Sequence, residues 1–439
     1  MNILITFCNT IDTPTYPNLG VLDIITKEFK IVNLPPEILQ TGMLGLAMSS
    51  KYLFVGLQHS ASGKVGVIGP PAVLVFDLRT FNLVSQYPLA LVKDIHSFLL
   101  SPDERTLYVV SSGTDEIIRL TLHGAEIIHE EIFWSLALEK TGTDTFHINS
   151  ISLYKSDILV SGFGLKEIAN DWNTANNGFI YNVTKGKEIA SGLKQPHSIC
   201  GIGFSIAFCE SRNKVLRFVD DDRTVILPGY TRGLCFYKDK IYVGTSASRK
   251  KSKSTGKPTI GTAISPGGCT ISEIDMDSLD VLYTWDLNDY AVEIYEFMLV
   301  PDVSNWPLIS PRNYREEFQQ SWIYKTRSAI EDLKEIIPEG SKFLFVDDNL
   351  LQISETMLAG RTYFSFTEKD GMYWGPPVDD TTSITELERM RSNGTQYIVF
   401  AWPSYWWLDH YVEFHQYLSE HYFKVFESDN ILIFDLQKE

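Results

Sequence analysis

The chain has 439 residues, 13 % of them aromatic and 21 % charged, and a net charge of −17. Such a length holds one or two domains with proper cores, and so acidic a balance disfavours non-specific binding to nucleic acid or anionic membrane. No apolar run is long enough for a spanning helix, and "MNILITFCNT" lacks a signal peptide's basic region and apolar core. The expectation is a cytoplasmic protein without membrane insertion.

From residue 1 to about 300 the chain reads as short β-runs broken by Gly, Pro, Asn and Asp, with a loose four-strand repeat. Three strands come first, "NILITFC", "GVLDIIT" and "FKIVNLP", without an innermost partner. Five complete units follow, beginning at "GMLGLAM", "IHSFLL", "NSISL", "HSICGI" and "RGLCF". "EIYEFMLV" then supplies an inner strand with no unit of its own. Joining the two fragments gives a mainly β fold, a six-bladed β-propeller over residues 1–303 closed by an inner strand at 293–300.

After Pro301 the period changes. "NYREEFQQSWIYKTRSAIEDLKEII" predicts a helix, "KFLFVDD" a buried strand, and "TSITELERMRSNG" a helix ending at Gly394. "QYIVFAWP" predicts a strand, "DHYVEFHQYLSEHY" a third helix and "FKVFESDNILIFDL" a terminal hairpin. Residues 304–439 thus form a small α/β (Rossmann-like) domain, without a Gly-rich phosphate loop after its first strand. "WPSYWWLDHY" reads first as a packing cluster and second as a sugar-stacking surface. Cys8, Cys200, Cys209, Cys235 and Cys269 have no CxxC spacing, so reduced thiols are expected.

Aligned on their inner strands, the blades place Leu44, His96, Asn149, His197, Arg232 and Tyr295 at equivalent ring positions, with His147 and Glu293 two residues earlier. Glu210, Arg212 and the basic stretch containing Arg249 and Lys251 fall on loops of the same face. Two readings compete. These polar groups can tie neighbouring blades together near the axis, or they can meet a ligand. In the second, His96, His197 and Arg232 are the candidate catalytic groups, an imidazole acting as base and the guanidinium stabilising an oxyanion. Asn149, His147, Glu210, Arg212, Arg249, Lys251, Glu293 and Tyr295 are then ligand-binding. Arginine and lysine there favour an anionic small molecule. An alternative has His96, His147 and His197 hold a divalent metal with Glu210 or Glu293. The histidines sit on separate blades without a second-shell carboxylate pattern, so no metal is assigned. The sequence names no cofactor. Because ring residues at a solvated mouth carry little core, Arg232→Ala is expected to weaken binding and leave folding intact.

The stretches "PHS", "CES", "PGYTRGLCF", "YVGTSASRKKSKSTG" and "YAVEIYEFM" resemble an uncharacterised bacterial family of propeller proteins, a domain of unknown function. The tail, from "FLFVDD" to "WPSYWWLDHYVEFHQYL", is similar to a domain appended to bacterial glycosyltransferases and related surface-polysaccharide proteins. Together the resemblances imply a setting in surface-polysaccharide biosynthesis, with glycosyltransferase-type partners for the tail. The leading expectation is recognition, with or without chemical transformation, of an anionic sugar or sugar phosphate. A non-catalytic scaffold for glycan-assembly enzymes and a metal-dependent lyase or hydrolase are the alternatives.

Overall fold

The computed structural model describes residues 1–8, 18–35, 38, 42–60, 69–136, 144–168, 171–203, 205–247, 268–351 and 353–437. Among them the chain divides into two compact units, one ending at Glu316 and the other starting at Glu317.

The first unit is a six-bladed propeller. Met43–Met48, Tyr52–Leu57, Ala72–Asp77 and Leu83–Pro88 make the first blade as an antiparallel sheet in chain order. The next four repeat this plan from the inner strands Ile95–Leu100, Ile148–Tyr154, Pro196–Ile202 and Tyr230–Tyr237. In the sixth, Ile294–Val300 lies innermost against Asn2–Phe7, with Ile3 opposite Leu299 and Ile5 opposite Phe297. The two ends of the propeller sequence thus close the ring, as the missing inner strand required. Burial follows position. Ala72–Asp77 is buried almost throughout because adjoining blades cover both its faces, whereas Leu83–Pro88 is mostly exposed at the rim. Phe98, Val109, Leu107 and Ile118 pack with Leu44, Phe54 and Val73 between the first two blades.

A short strand, Leu308–Ile309, extends the sixth blade beside Ile31 and Val32. It is anchored by Trp306, whose indole nitrogen donates to the Leu78 carbonyl at 2.8 Å and whose ring lies 4.4 Å from that of Phe81. Three of the outer hairpins share one turn. Asp23, Asp77 and Asp275 each accept two backbone N–H bonds from the turn, and the residue four further on (Lys27, Phe81, Leu279) is left-handed. Aspartate suits this position because its short carboxylate bonds the backbone just ahead of it.

The second unit is a five-stranded sheet. Thr362–Ser365, Lys342–Val346 and Tyr397–Ala401 are parallel neighbours, and Ile431–Asp435 and Phe423–Glu427 complete it antiparallel. The strand Thr362–Ser365 has no counterpart in the sequence reading. The helical stretch after Pro311 is two helices, Pro311–Gln320 and Trp322–Ile336. It breaks at Ser321, which is extended and whose hydroxyl caps the second helix by accepting from Tyr324 N–H. Helix Asp380–Ser392 starts on the cap Asp379 and ends before Gly394, whose φ is +93°. In the aromatic cluster Trp407 is fully buried, and both Trp406 and Trp407 donate to the Asp348 carboxylate.

Candidate functional site

The polar starts of the inner strands have a local cause. Asp94, His147 and Gln195 enter three successive blades in the left-handed region, at φ +56°, +51° and +54°. The residue two positions on bonds each carbonyl: His96 Nδ1 to Asp94 O at 3.3 Å, Asn149 Nδ2 to His147 O at 3.3 Å, His197 Nδ1 to Gln195 O at 3.2 Å. Valine there would remove this second bond to a carbonyl that, in Asp94 and Gln195, also accepts a backbone N–H, from Ser112 and Ser211. A second device joins blades. Ser112 donates to Ile148 O, Ser211 to Thr231 O at 2.7 Å and Ser246 to Ile294 O at 3.1 Å, in each case across to the next inner strand.

Beyond these bonds the side chains meet in a closed circuit. The Tyr295 ring lies 5.4 Å from that of His96, which lies 5.0 Å from His147. His147 packs on Phe163 at 4.6 Å, and Phe163 on His197 at 5.0 Å. Arg232 donates to His197 Nε2 at 3.0 Å and stacks its guanidinium 4.3 Å from the Tyr295 ring centre, which completes the loop. The second, third, fourth, fifth and sixth blades all contribute, and at the equivalent position of the first stands Leu44, which belongs to the apolar core. Trp172 lies against His147 at 4.6 Å and carries the Lys166 ammonium 3.6 Å from its ring.

The charges are compensated within the ring. Arg232 donates to Glu293 Oε1 at 2.8 Å, and both side chains are more than nine-tenths buried. Burial, and then the Arg232 charge, hold His197 well below the usual histidine range. Burial, and then His147, do the same for His96. Both imidazoles are therefore neutral at pH 7. A chain of donors runs from Arg232 through His197 and Ser211 to the Thr231 carbonyl, Ser211 lying 2.8 Å from His197 Nδ1. Three polar atoms stand apart from it. The Tyr295 hydroxyl is buried without a hydrogen-bond partner, and His96 Nε2 and His147 Nε2 have none among the described residues.

The ring thus gathers His96, His147, His197, Arg232, Glu293 and Tyr295. Other expected site residues are engaged elsewhere. The Asn149 side-chain oxygen accepts from Ser161 at 2.8 Å inside its own blade. Glu210 accepts from Lys194 N–H, Asn213 and Arg217, and Arg212 is tied to Asn173 and Asn176. Arg249 and Lys251 lie outside the described residues. Among the described residues no group of three or more His, Cys, Asp or Glu side chains is placed to hold a metal. The sequence reading passed over Trp172, Phe163 and Glu296. Glu296 had one signal, a carboxylate inside the otherwise apolar strand "IYEFMLV".

Residues 133–309 match the family described as "Domain of unknown function (DUF4915)". No curated protein matches the chain. Solved structures similar to it include one of a nidogen/laminin complex, 12 % identical over 68 % of this chain and 97 % of that one, with a TM-score of 0.45. Others are a periplasmic gluconolactonase of Pseudomonas aeruginosa (14 %, 68 % and 99 %, 0.41) and a protein of unknown function from Bacteroides caccae (10 %, 67 % and 97 %, 0.42). None of these likenesses assigns a function. No helix among the described residues is long and apolar enough to cross a membrane.

Proposed function

We propose that the polar ring is the floor of a small-molecule site that recognises a sugar acid or similar polyhydroxylated anion. One observation carries the reading. The Tyr295 hydroxyl is buried and has no hydrogen-bond partner, and His96 Nε2 and His147 Nε2 near it have none among the described residues. A buried hydroxyl without a partner is costly, so a ligand oxygen or a water that a ligand displaces is its natural complement. The neutral imidazole of His96 supplies an acceptor beside it, Trp172 and Phe163 supply flat faces for sugar C–H groups, and the Lys166 ammonium over Trp172 supplies a positive charge, that of Arg232 being offset by Glu293. His197 is less suited to the role of base, since its Nε2 lone pair already accepts from Arg232. His96 is the better candidate if the site performs proton transfer. Calorimetric titration with gluconate, glucuronate and glucose tests the reading. Binding of the acids over glucose, weakened at least about tenfold in Tyr295→Phe, is expected from loss of a hydrogen bond to a charged group. Equal affinity of Tyr295→Phe and the parent protein for the acids would overturn it.

A second reading has its own support. Trp374 is 66 % and Trp406 41 % exposed on the C-terminal unit, which favours a docking role for that unit in a glycan-assembly complex.

A further inference from the structure

The next step along the two strands that carry Tyr295 and His96 brings Glu296 and Ser97 together. Ser97 Oγ donates to Glu296 Oε1 at 2.7 Å, and Leu46 N–H donates to Oε2 at 2.7 Å. Thr6 fills the irregularity in the adjoining ladder, accepting from Glu296 N–H at 3.0 Å and donating to Leu44 O at 2.8 Å. One carboxyl from the sixth blade thus reaches the first and the second. Its side chain is only partly buried.

Among the described residues no cation answers it. The strands Asn2–Phe7 and Met43–Met48 contain no ionisable side chain. Ile95–Leu100 brings His96, and Tyr230–Tyr237 brings Tyr230, Cys235, Tyr237 and Arg232, the last engaged by Glu293 and His197. Lys240–Ser246 brings Tyr242 and Lys240, whose ammonium is bound to Asp239 and Asp275. Glu293 and Tyr295 complete the set on its own segment. Desolvation pushes the Glu296 carboxyl up to about 8, against the two hydrogen bonds. The folded chain therefore holds this proton more tightly than the unfolded chain does. Stability that is full below the ordinary carboxylate range is lost as pH rises toward 8. Glutamine would accept from Leu46 N–H through its oxygen and donate to Ser97 Oγ through its nitrogen, without this loss. A carboxyl set between three blades with no counter-charge among the described residues points to a use for its proton.

We propose that Glu296 is a proton-exchanging, specificity-determining residue of the channel, which takes up one proton from solvent when an anionic ligand occupies the ring above it. In its protonated form it adds no negative charge beneath the anion. The proposal rests on the reading of the ring as a ligand site.

The test uses the full chain and Glu296→Gln. Without ligand, urea unfolding at pH 5, 7 and 9 should find the variant more stable, by a margin growing at least about tenfold in the unfolding constant from pH 5 to pH 9. With gluconate and glucuronate at pH 8, calorimetry in two buffers of different ionisation heat should register proton uptake in the parent protein. Glu296→Gln should bind the same acids without it. A stability margin that does not change with pH overturns the proposal, because Glu296 is then only an ionised staple between blades. Equal proton uptake in both proteins also overturns it. If neither acid binds either protein, the sugar-acid reading fails and the ligand coupling with it. The ligand-free margin then still separates that failure from an error about the carboxyl itself.

Discussion

Arg232 donates a hydrogen bond to Nε2 of His197 at 3.0 Å, so this histidine carries its one proton on Nδ1. A guanidinium has no acceptor to offer, and the imidazole must therefore receive. The bond draws two ring positions of the sequence into one unit with Glu293, and it changes what substitution there does.

Arg232→Ala is expected to destabilise the propeller by about 3–5 kcal/mol, because it removes the cation paired with the buried Glu293 carboxylate. The expectation from sequence, that folding stays intact, treated Arg232 as a solvated mouth residue, whereas it is buried and paired. Urea unfolding of Arg232→Ala, Glu293→Ala and the double variant measures the coupling, and additive losses would show that the pair is not coupled.

Ser211→Ala should cost about 1–3 kcal/mol, since at a fully buried position it removes the side-chain donor to Thr231 O and the nearer of the two partners of His197 Nδ1. Ser205→Ala, which removes a buried hydroxyl with no partner, is the control and should leave stability unchanged or slightly raised. Denaturation midpoints of the two variants decide the point.

Stability should fall as pH drops below about 6.5, the ordinary histidine value. His96 and His197 are depressed in the folded chain, so the unfolded chain binds protons first. Their contribution is complete above that pH and is lost progressively below it. Replacing His96 by Gln should flatten part of the slope between pH 7.5 and pH 5, measured by thermal unfolding at each pH. An unchanged slope would mean that His96 does not titrate in this way.

Tyr295→Phe should raise the stability of the ligand-free protein by about 1 kcal/mol or leave it unchanged, because the lost hydroxyl had no partner. A marked loss of stability would indicate a structural hydrogen bond from this hydroxyl.

The sequence by itself determined the propeller. The four-strand repeat, its incomplete first unit and the orphan strand "EIYEFMLV" together demand a closed ring of six, because strand alternation and blade packing are local and periodic. The Asp turns at Asp23, Asp77 and Asp275 are local as well and were readable in principle. The helix end at Gly394 was legible for the same reason, whereas the break at Ser321 was not, since the apolar period runs through it. Ring alignment also brought His96, His197, Arg232 and Tyr295 to one level. Only the tertiary structure decided how they are used. Whether Arg232 faces a ligand or Glu293, and whether Glu210 faces the ring or Arg217, depends on side-chain direction and on partners 61 and 7 residues away. Residue type does not carry that information. Glu296 shows the limit most plainly: its partial burial and the lack of a cation beside it among the described residues come from the strands that meet around it, and one letter in an apolar strand could not record them.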